Sequence, residues 1–290
     1  MMRALLSTLL KENPFLYQSA YLPYMRLRMS LGLEPAWVRR IACTVSCPDN
    51  ARIPRVRDAG ITRRGIQLMH NGLRVYSQSY YGYMMNRLMQ ENRGVHEPQE
   101  ELVFGNVLPH IRPGSTMLEL GSYWAFYSMW FRRDVPDSRC ICVEPVAHNL
   151  RMGRRNFSLN SLDAIFERGY VGTRKSTAPD GVPVFAVDEI CERHNVKQLG
   201  ILHADVQGAE LEALQGAREM LANERIDYCF ISTHGNDLHD AVRRTLLEYG
   251  HRVIADANCD ESFSEDGVFV TSRGSLNDCG PISISLRARP

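Results

Sequence analysis

The stretch from Thr116 to Glu144 constrains the fold more than any other part of the sequence. It begins with a short apolar run that ends at Gly121 and continues with a helical stretch from Trp124 to Arg132. A second apolar run, Cys140 to Val143, ends at an acid. Strand, glycine turn, helix, strand and acid in this order are typical of half of a nucleotide-binding unit. The glycine permits close backbone approach, the helix N-terminus offers unpaired N–H groups, and the acid can accept hydrogen bonds from ribose hydroxyls.

The turn itself distinguishes between cofactors. It reads Gly121-Ser122-Tyr123-Trp124-Ala125, with one glycine and two bulky aromatic residues. Dinucleotide enzymes use GxGxxG because a pyrophosphate needs close backbone approach at more than one position. The acidic Glu119 before the turn suits the cationic amino-acid end of a ligand better than a phosphate. Both features favour S-adenosylmethionine over NAD, and an α/β turn that binds no ligand is the alternative.

Composition restricts the class of protein. The chain has 290 residues and a net charge of +1, which fits one large domain, or one domain with an appendage, and no electrostatic attraction to nucleic acid. The 8 cysteines form no CxxC pair. Cys140 and Cys142 are two residues apart on one face of a predicted strand, where parallel side chains are about 6–7 Å apart, so they cannot easily bridge each other. We therefore expect reduced thiols in a cytoplasmic protein.

The N-terminal region raises the question of membranes. No apolar run is long enough to span a bilayer, and residues 1–10 are too short and interrupted for a signal peptide, so we expect a docking helix there. Arg26, Arg28, Arg39 and Arg40 flank apolar residues. A solvated basic face is one interpretation, and a weak peripheral membrane contact is the alternative.

The sequence predicts three regions. Residues 1–95 form a mainly helical N-terminal extension, broken by prolines, with a hairpin over 66–77 that acts as a lid or a dimer element. Asn71-Gly72 favours a type I′ turn in this hairpin, because both central residues of that turn need positive φ. Residues 96–275 form the cofactor-binding domain, and residues 276–290 form a C-terminal tail.

Helices and strands alternate through the second region. We predict helices over 80–91, 96–111, 146–159, 209–221 and 238–249, and further strands over 164–166, 200–204, 228–231, 251–254 and 268–271. This alternation indicates a parallel sheet covered on both faces, which binds ligands beyond the carboxyl ends of its strands. The residues at these ends should line one crevice: Glu119, Gly121, Glu144, Gly169, Asp205 and His234.

The segment of residues 203–217, HADVQGAELEALQGA, resembles the signature of FkbM-type methyltransferases. Glu119-Leu120-Gly121 with Tyr127-Ser128, Val143-Glu144-Pro145 and residues 155–160 are also similar to this family. The resemblance covers about residues 95–255, and parts of residues 70–100 resemble an N-terminal extension in one branch. Many members carry a second glycine in the first loop, where this chain has Ala125.

The resemblance implies a class I methyltransferase fold, which is a Rossmann-like, doubly wound, mostly parallel seven-stranded sheet. It also implies S-adenosylmethionine as the cofactor and O-methylation of a hydroxyl on a sugar, glycan or natural-product scaffold. Two alternatives remain open. One is N-methylation of an amino sugar or small amine, and the other is a cofactor-binding partner protein without turnover. We also expect that the chain can form a homodimer.

The resemblance further implies roles for individual residues. Glu119 and Gly121 would hold the methionine end and Glu144 the ribose, with the adenine beside Gly169, Tyr170 and Val171. The remaining cofactor-binding residues would be Ser122, Tyr123, Pro145, Asn149 and Asp205, with Tyr81 and Gln99 closing over the site.

An alcohol acceptor needs a base or a metal ion to expose its oxygen. His234 titrates in the useful range, and Asp205 is a second candidate base, an acceptor-orienting group or a cation ligand. Asp205, His234 and Asp237 together could hold Mg2+ or another divalent cation. Helix capping by Asp205 and a core position for His234 are the structural alternatives.

Overall fold

The computed structural model describes residues 21–277 and 279–288, so the predicted docking helix over residues 1–10 lies outside the described residues. The helices are α1 Leu22–Ser30, α2 Pro35–Ser46, α3 Tyr83–Glu91, α4 Pro98–Val107, α5 Phe126–Asp134, α6 Ala147–Leu159, α7 Val187–Arg193, α8 Glu210–Gln215, α9 Arg218–Ala222 and α10 Asn236–Glu248. The strands are β1 Thr62–Arg63, β2 Ile66–Leu68, β3 Arg74–Tyr76, β4 Thr116–Leu120, β5 Arg139–Val143, β6 Ile165–Glu167, β7 Tyr170–Val171, β8 Ser176–Thr177, β9 Pro183–Phe185, β10 Leu199–Ala204, β11 Ile226–Thr233, β12 His251–Ala257 and β13 Gly267–Arg273. Every strand and helix predicted between residues 116 and 273 has a counterpart at or near the predicted bounds, except for one helix.

The central sheet has seven strands in the order β12-β13-β11-β10-β4-β5-β6. The pairs from β11 to β6 are parallel, whereas β13 runs antiparallel to both β11 and β12. The strand order reverses between β4 and β10, which is the switch point where open α/β sheets bind ligands. The predicted doubly wound, mostly parallel seven-stranded sheet is confirmed.

Strand β4 lies between two hydrophobic cores, one on each face of the sheet. Its five residues are all buried, and successive side chains point to opposite faces of the sheet. Met117 packs in the core that contains Phe126 and Phe131, whereas Leu118 and Leu120 pack in the other core. Burial on both faces fixes the register of β4 and therefore the position of Gly121, which follows it directly.

The predicted helix over 209–221 is wrong in its continuity, because the chain forms α8 and α9 with a break between them. The backbone N–H of Asp188 donates to the carbonyl of Gly216 (2.8 Å). The carboxylate of Asp188 accepts hydrogen bonds from the backbone N–H groups of Glu219 (2.9 Å) and Met220 (3.0 Å). A side chain from α7 therefore caps α9, a distant contact that local periodicity does not reveal.

The hairpin of the extension is confirmed, but its turn is not of type I′. Strands β2 and β3 pair from Ile66↔Tyr76 to Leu68↔Arg74, which leaves a loop of residues 69–73. Gly72 has a positive φ of 90° and Asn71 is not among the positive-φ residues. The Asn71 side chain instead accepts a hydrogen bond from the backbone N–H of Leu73 (3.1 Å), the local bond that asparagine favours in turns.

The extension packs directly on the sheet domain. The backbone N–H groups of Arg74 and Tyr76 in β3 donate to the side chains of Asn160 (2.9 Å) and Asn156 (3.0 Å) at the end of α6. The C-terminal segment returns to the extension, where Asp49 accepts a hydrogen bond from the backbone N–H of Ser285 (2.7 Å).

Within the described ranges, no helix is both long and apolar enough to cross a membrane.

Candidate cofactor and acceptor site

A cavity of about 400 Å³ opens at the carboxyl ends of β4, β5 and β10, within the size range of small-molecule sites. Nine of the residues predicted to bind cofactor line it: Tyr81, Gly121, Tyr123, Glu144, Pro145, Asn149, Gly169, Tyr170 and Asp205. Val171, which was expected beside the adenine together with Gly169 and Tyr170, also lines it. Sequence reasoning missed Val146, Val206, Gln207 and Ala209. Val146 and Val206 are apolar residues next to predicted ones, so the pattern of polar strand ends gave no signal for them.

Position 121 requires glycine because the end of β4 lies in contact with the end of β10. Its φ is 72°, and a Cβ atom there would lie 1.8 Å from the carbonyl oxygen of Asp205. The backbone N–H of Asp205 donates to Leu120 (3.1 Å), and that of Gly121 donates to Val143 (2.9 Å). The ends of β4, β5 and β10 are therefore held together at this point, and any side chain at position 121 would separate them.

Glu144 is a buried acceptor at the end of β5 and is 4% exposed. Its carboxylate accepts hydrogen bonds from the backbone N–H groups of Tyr123 (3.1 Å) and Val146 (2.8 Å) and from Asn149 Nδ2 (3.2 Å). Burial raises its pKa, and these three bonds act in the opposite direction. A carboxylate has about four acceptor positions, so one remains for a ligand hydroxyl. This donor and acceptor set fits a ribose.

Tyrosines from two regions form one wall of the cavity. The backbone N–H of Tyr81, in the extension, donates to the hydroxyl of Tyr123 (3.4 Å), and the two rings lie 5.1 Å apart. Behind them, Tyr80 stacks on Trp124 with ring centroids 4.7 Å apart. The bulky turn that is unfavourable for a pyrophosphate is therefore the contact surface on which the extension packs.

Three predicted cofactor residues are placed away from the cavity. Glu119 is 3% exposed and accepts a hydrogen bond from the backbone N–H of Ser128 (3.1 Å). Ser122 is 2% exposed, beneath the turn. Gln99 holds the C-terminal region, because it accepts from the N–H of Phe263 (2.8 Å) and donates to the carbonyl of Ser285 (2.7 Å). None of the three lines the cavity, because each side chain points into the protein.

Ala125, where many family members have glycine, adopts a left-handed conformation with φ 60° and ψ 42°. This conformation costs roughly 1–2 kcal/mol for a residue with a Cβ atom. Its methyl group is fully buried and packs towards Gly153, where an added Cβ would lie 3.3 Å from it. Because Ala125 does not line the cavity, the substitution leaves the ligand space intact.

A histidine surrounded by carboxylates lies beside the cavity, and we call His234, Glu210, Asp205 and Asp266 the crevice cluster. His234 Nδ1 lies 2.9 Å from Glu210, and Nε2 lies 3.4 Å from Asp205 and 3.3 Å from Asp266. Burial acts to lower the pKa of His234, but the bond to Glu210 and the charges of Asp266 and Asp205 raise it to about 9. These carboxylates therefore favour the protonated form of His234 at neutral pH.

Asp205 is an acid whose pKa is raised to near neutral pH. Burial raises its pKa to about 7, with further contributions from the charges of Glu97 and Asp266. Burial likewise raises the pKa of Asp266 to about 6. Sequence reasoning missed Asp266 because it considered only the carboxyl ends of strands. Asp266 precedes β13, and this strand is antiparallel, so its amino end lies at the same edge of the sheet.

The predicted divalent-cation site of Asp205, His234 and Asp237 is not formed. Asp237 lies in the first turn of α10, and both ring nitrogens of His234 face carboxylates. Among residues 21–277 and 279–288, no group of three or more His, Cys, Asp or Glu side chains is arranged to hold a metal ion.

A second histidine–carboxylate group was not predicted, and we call His70, His96, Glu97 and Glu101 the buried cluster. His96 lies 2.7 Å from Glu101 and 3.2 Å from Glu97, and His70 lies 2.8 Å from Glu101. Although burial acts to lower the pKa of His96, Glu97 and Glu101 raise it to about 10. The local sequence indicated only acids at a helix start, since the pairing with His70 joins distant segments.

Comparisons with known proteins found one family domain and several distantly similar solved structures. The model of the methyltransferase FkbM domain matches residues 146–253. No curated protein sequence matches the chain. One similar solved structure is precorrin-6y C5,15-methyltransferase from Geobacter metallireducens (11% identity, 60% of this chain and 87% of that chain, TM-score 0.42). Another is M. capricolum TrmK in complex with S-adenosyl-homocysteine (10% identity, 61% and 70%, TM-score 0.41). A third is Aeropyrum pernix fibrillarin with S-adenosyl-L-methionine (18% identity, 56% and 68%, TM-score 0.39).

These structural likenesses are distant and concern the fold alone, whereas the domain match concerns the segment that carries Asp205 and His234. The match to the methyltransferase FkbM domain over residues 146–253 supports a methyltransferase that uses S-adenosylmethionine.

Proposed function

We propose that the chain transfers a methyl group from S-adenosylmethionine to a hydroxyl oxygen of a sugar, glycan or natural-product scaffold. The observation that carries the proposal is Asp205, which lines the cofactor cavity, has a pKa raised to about 7 and lies 3.4 Å from His234. A carboxylate of this kind suits the deprotonation of an alcohol, because general bases work best with a pKa near the operating pH.

The bound cofactor supplies a methyl group on a positively charged sulfur. Asp205 takes the proton from the acceptor hydroxyl while the oxygen–carbon bond forms and the sulfur–carbon bond breaks. Gly121 and Tyr123 would border the methionine end, and Glu144 with Asn149 would accept and donate hydrogen bonds at the ribose. Pro145, Gly169 and Tyr170 would border the adenine. The protein mainly aligns the two substrates, which is a large part of catalysis for such a displacement.

We assign His234 as a positioning residue and Asp205 as the base. A histidine whose pKa is about 9 already carries its proton at neutral pH and cannot accept another. As a cation 3.4 Å from Asp205, it orients that carboxylate and favours its ionised form. This assignment reverses the order of the two candidates that the sequence suggested.

N-methylation of an amine is a second candidate, favoured by the negative charge near the crevice. Asp205 and Asp266 lie beside each other at His234, and Tyr81 forms the adjoining wall. Carboxylates and aromatic rings both bind ammonium groups. An amine acceptor would have to lose its proton before methylation, so its rate would follow the pKa of the amine rather than that of Asp205.

The test has two stages. Calorimetric titration with S-adenosylhomocysteine, with NADH as the control ligand, measures the cofactor site. Transfer of radiolabelled methyl to panels of hydroxyl and amine acceptors then measures turnover. Micromolar binding of S-adenosylhomocysteine without NADH binding is expected, and absence of any binding would contradict the proposal. A homodimer, a peripheral membrane contact and a cytoplasmic location stay predictions.

A further inference from the structure

We infer that the acceptor carries a phosphate group, bound in an arginine-lined cavity next to the site of methyl transfer. This inference rests on the proposed function and names its substrate class. The cavity has a volume of about 300 Å³ and lies between α2, the segment before β13 and the C-terminal segment. It shares no lining residue with the cofactor cavity. We call it the arginine cavity.

The lining of the arginine cavity carries an excess of positive charge. Three guanidinium groups, those of Arg39, Arg40 and Arg287, face a single carboxylate, that of Glu265. Arg40 pairs with Glu265 at 2.8 Å, and the Glu265 side chain is 61% exposed. Arg39 is exposed, and its guanidinium lies next to no described carboxylate within ion-pair distance. Two positive charges thus remain, which matches a phosphate dianion.

Two of the arginines are held in position before any ligand arrives. Arg287 donates to the carbonyl oxygens of Asp260 (3.1 Å) and Cys259 (3.2 Å), neutral groups that leave its charge uncompensated. Arg40 lies 5.2 Å from the ring centroid of Trp37. The planar guanidinium offers paired N–H donors that match phosphate oxygens, and prior positioning reduces the entropy lost on binding.

The arginine cavity lies close to the reacting groups. Glu265, which lines it, directly precedes Asp266 in the chain, and the charge of Arg40 acts to lower the pKa of Asp266. Asp266 lies 3.3 Å from His234, and His234 lies 3.4 Å from Asp205 in the cofactor cavity. We therefore expect an acceptor of the size of a phosphorylated sugar to reach both cavities.

The charges also fix the orientation of such an acceptor. Asp205 and Asp266 repel an anion from the point of methyl transfer, whereas Arg39 and Arg287 attract it to the rim. A phosphate is thus directed to the arginine cavity, and a hydroxyl, which can donate to a carboxylate, is directed to Asp205. A neutral scaffold would leave the charges of Arg39 and Arg287 uncompensated.

The probe for this inference is pyrophosphate, titrated by calorimetry into protein saturated with S-adenosylhomocysteine at fixed ionic strength. Arg39→Gln is the main variant, because Arg39 is exposed and its loss should leave the fold intact. Arg287→Gln removes the positioned guanidinium, and Arg57→Gln, at an exposed arginine outside the arginine cavity, is the matched control. We expect at least tenfold weaker pyrophosphate binding for Arg39→Gln and Arg287→Gln, and wild-type binding for Arg57→Gln.

The outcomes separate this inference from the proposed function. If S-adenosylhomocysteine binds but pyrophosphate does not, or binds Arg39→Gln as tightly as wild type, the inference is overturned and the methyltransferase proposal stands. If S-adenosylhomocysteine fails to bind, the proposed function fails instead, and the inference fails with it. Vesicles of phosphatidylglycerol form a further arm. Arg39-dependent binding to these vesicles without pyrophosphate binding would assign the arginines to a lipid headgroup and overturn the inference.

Discussion

The crevice cluster and the buried cluster use the same chemistry at two depths. In each, an imidazole lies between carboxylates, and its pKa is raised, to about 9 for His234 and to about 10 for His96. The side chains of His234 and Asp205 are 16% and 25% exposed, whereas those of His96 and Glu101 are 1% and 0% exposed. Only the first group contributes a side chain to the cofactor cavity.

This difference in depth separates reaction chemistry from structural pairing. A buried ion pair is shielded from solvent, and removal of one partner leaves an uncompensated charge in a low dielectric. A solvent-accessible cluster can exchange protons with ligands and water. The two groups also interact, since the charge of Glu97 in the buried cluster contributes to the raised pKa of Asp205. The buried cluster therefore supports the site without entering it.

The largest expected effect comes from Asp205→Asn in the crevice cluster. Loss of a general base reduces kcat by about 10²- to 10⁴-fold, while the affinity for S-adenosylhomocysteine should change little. Single-turnover methyl transfer and calorimetry measure the two quantities, with Asp237→Asn as the matched control outside the cavity. In the wild type, kcat should rise with pH up to about 7 and then level off, as Asp205 ionises. A variant that keeps its rate would remove Asp205 from the mechanism.

In the buried cluster, Glu101→Gln should act on stability. Glu101 contacts both His70 (2.8 Å) and His96 (2.7 Å) and is fully buried, so the substitution breaks two pairs at once. Removal of one partner of a buried pair typically costs about 3–5 kcal/mol. Chemical denaturation followed by fluorescence measures the free energy of unfolding. An unchanged unfolding midpoint would mean that the buried cluster contributes no net stability.

The dependence of stability on pH distinguishes the clusters from ordinary surface charge. Both His96 and His234 have folded pKa values above the usual 6.5, so they stabilise the fold fully below pH 6.5 and lose this contribution as pH rises. The loss should extend to about pH 9 for His234 and about pH 10 for His96. It should be on the order of 3 kcal/mol for His234 and about 5 kcal/mol for His96, since one pKa unit corresponds to about 1.36 kcal/mol.

Denaturation curves at several pH values measure this loss, with His234→Gln and Glu101→Gln to separate the two parts. His234→Gln should make the fall shallower up to about pH 9 and leave the fall between about pH 9 and 10 unchanged. A free energy of unfolding that stays constant from pH 6.5 to 10 would contradict the raised pKa of both histidines.

The sequence allowed prediction of residues whose position depends on the ends of parallel strands. Gly121, Glu144 and Asp205 follow buried apolar runs, and the topology brings such ends to one edge. The sequence did not predict Asp266 as a site residue because the strand that follows it, β13, is antiparallel. The buried cluster was not predicted because His70 and Glu101 come from segments that local sequence patterns do not connect.

Side-chain direction was the other limit. Glu119 lies near the end of β4, two residues before Gly121. Its carboxylate accepts a hydrogen bond from the N–H of Ser128 (3.1 Å) and does not face the cavity. Alternation along a strand predicts a face of the sheet, but an acid at the last positions can bond to the following helix instead. Sequence position therefore predicts which loop forms the site better than which acid faces the ligand.

A comparison of Glu144 with Glu119 sharpens this distinction between position and direction. Glu144→Ala should weaken binding of S-adenosylhomocysteine by about 1–3 kcal/mol, the range for a lost charged hydrogen-bond partner. Glu119→Gln should leave that affinity nearly unchanged. Calorimetric titration of both variants gives the two dissociation constants. Equal weakening by both substitutions would indicate that Glu119 also reaches the cofactor.

The smallest effect is expected at Asp237, which sequence reasoning had joined to the crevice cluster as a metal ligand. Its position in the first turn of α10 gives it only a favourable interaction with the helix dipole, typically about 0.3–1 kcal/mol. Asp237→Asn should therefore lower stability slightly and leave methyl transfer unchanged, with or without a chelator in the assay. Because both nitrogens of His234 already face carboxylates, a cation would have to displace these contacts in order to bind. A rate that falls in chelator and returns with Mg2+ would show that the crevice cluster rearranges around a metal, and the assignment of His234 as a positioning cation would then be wrong.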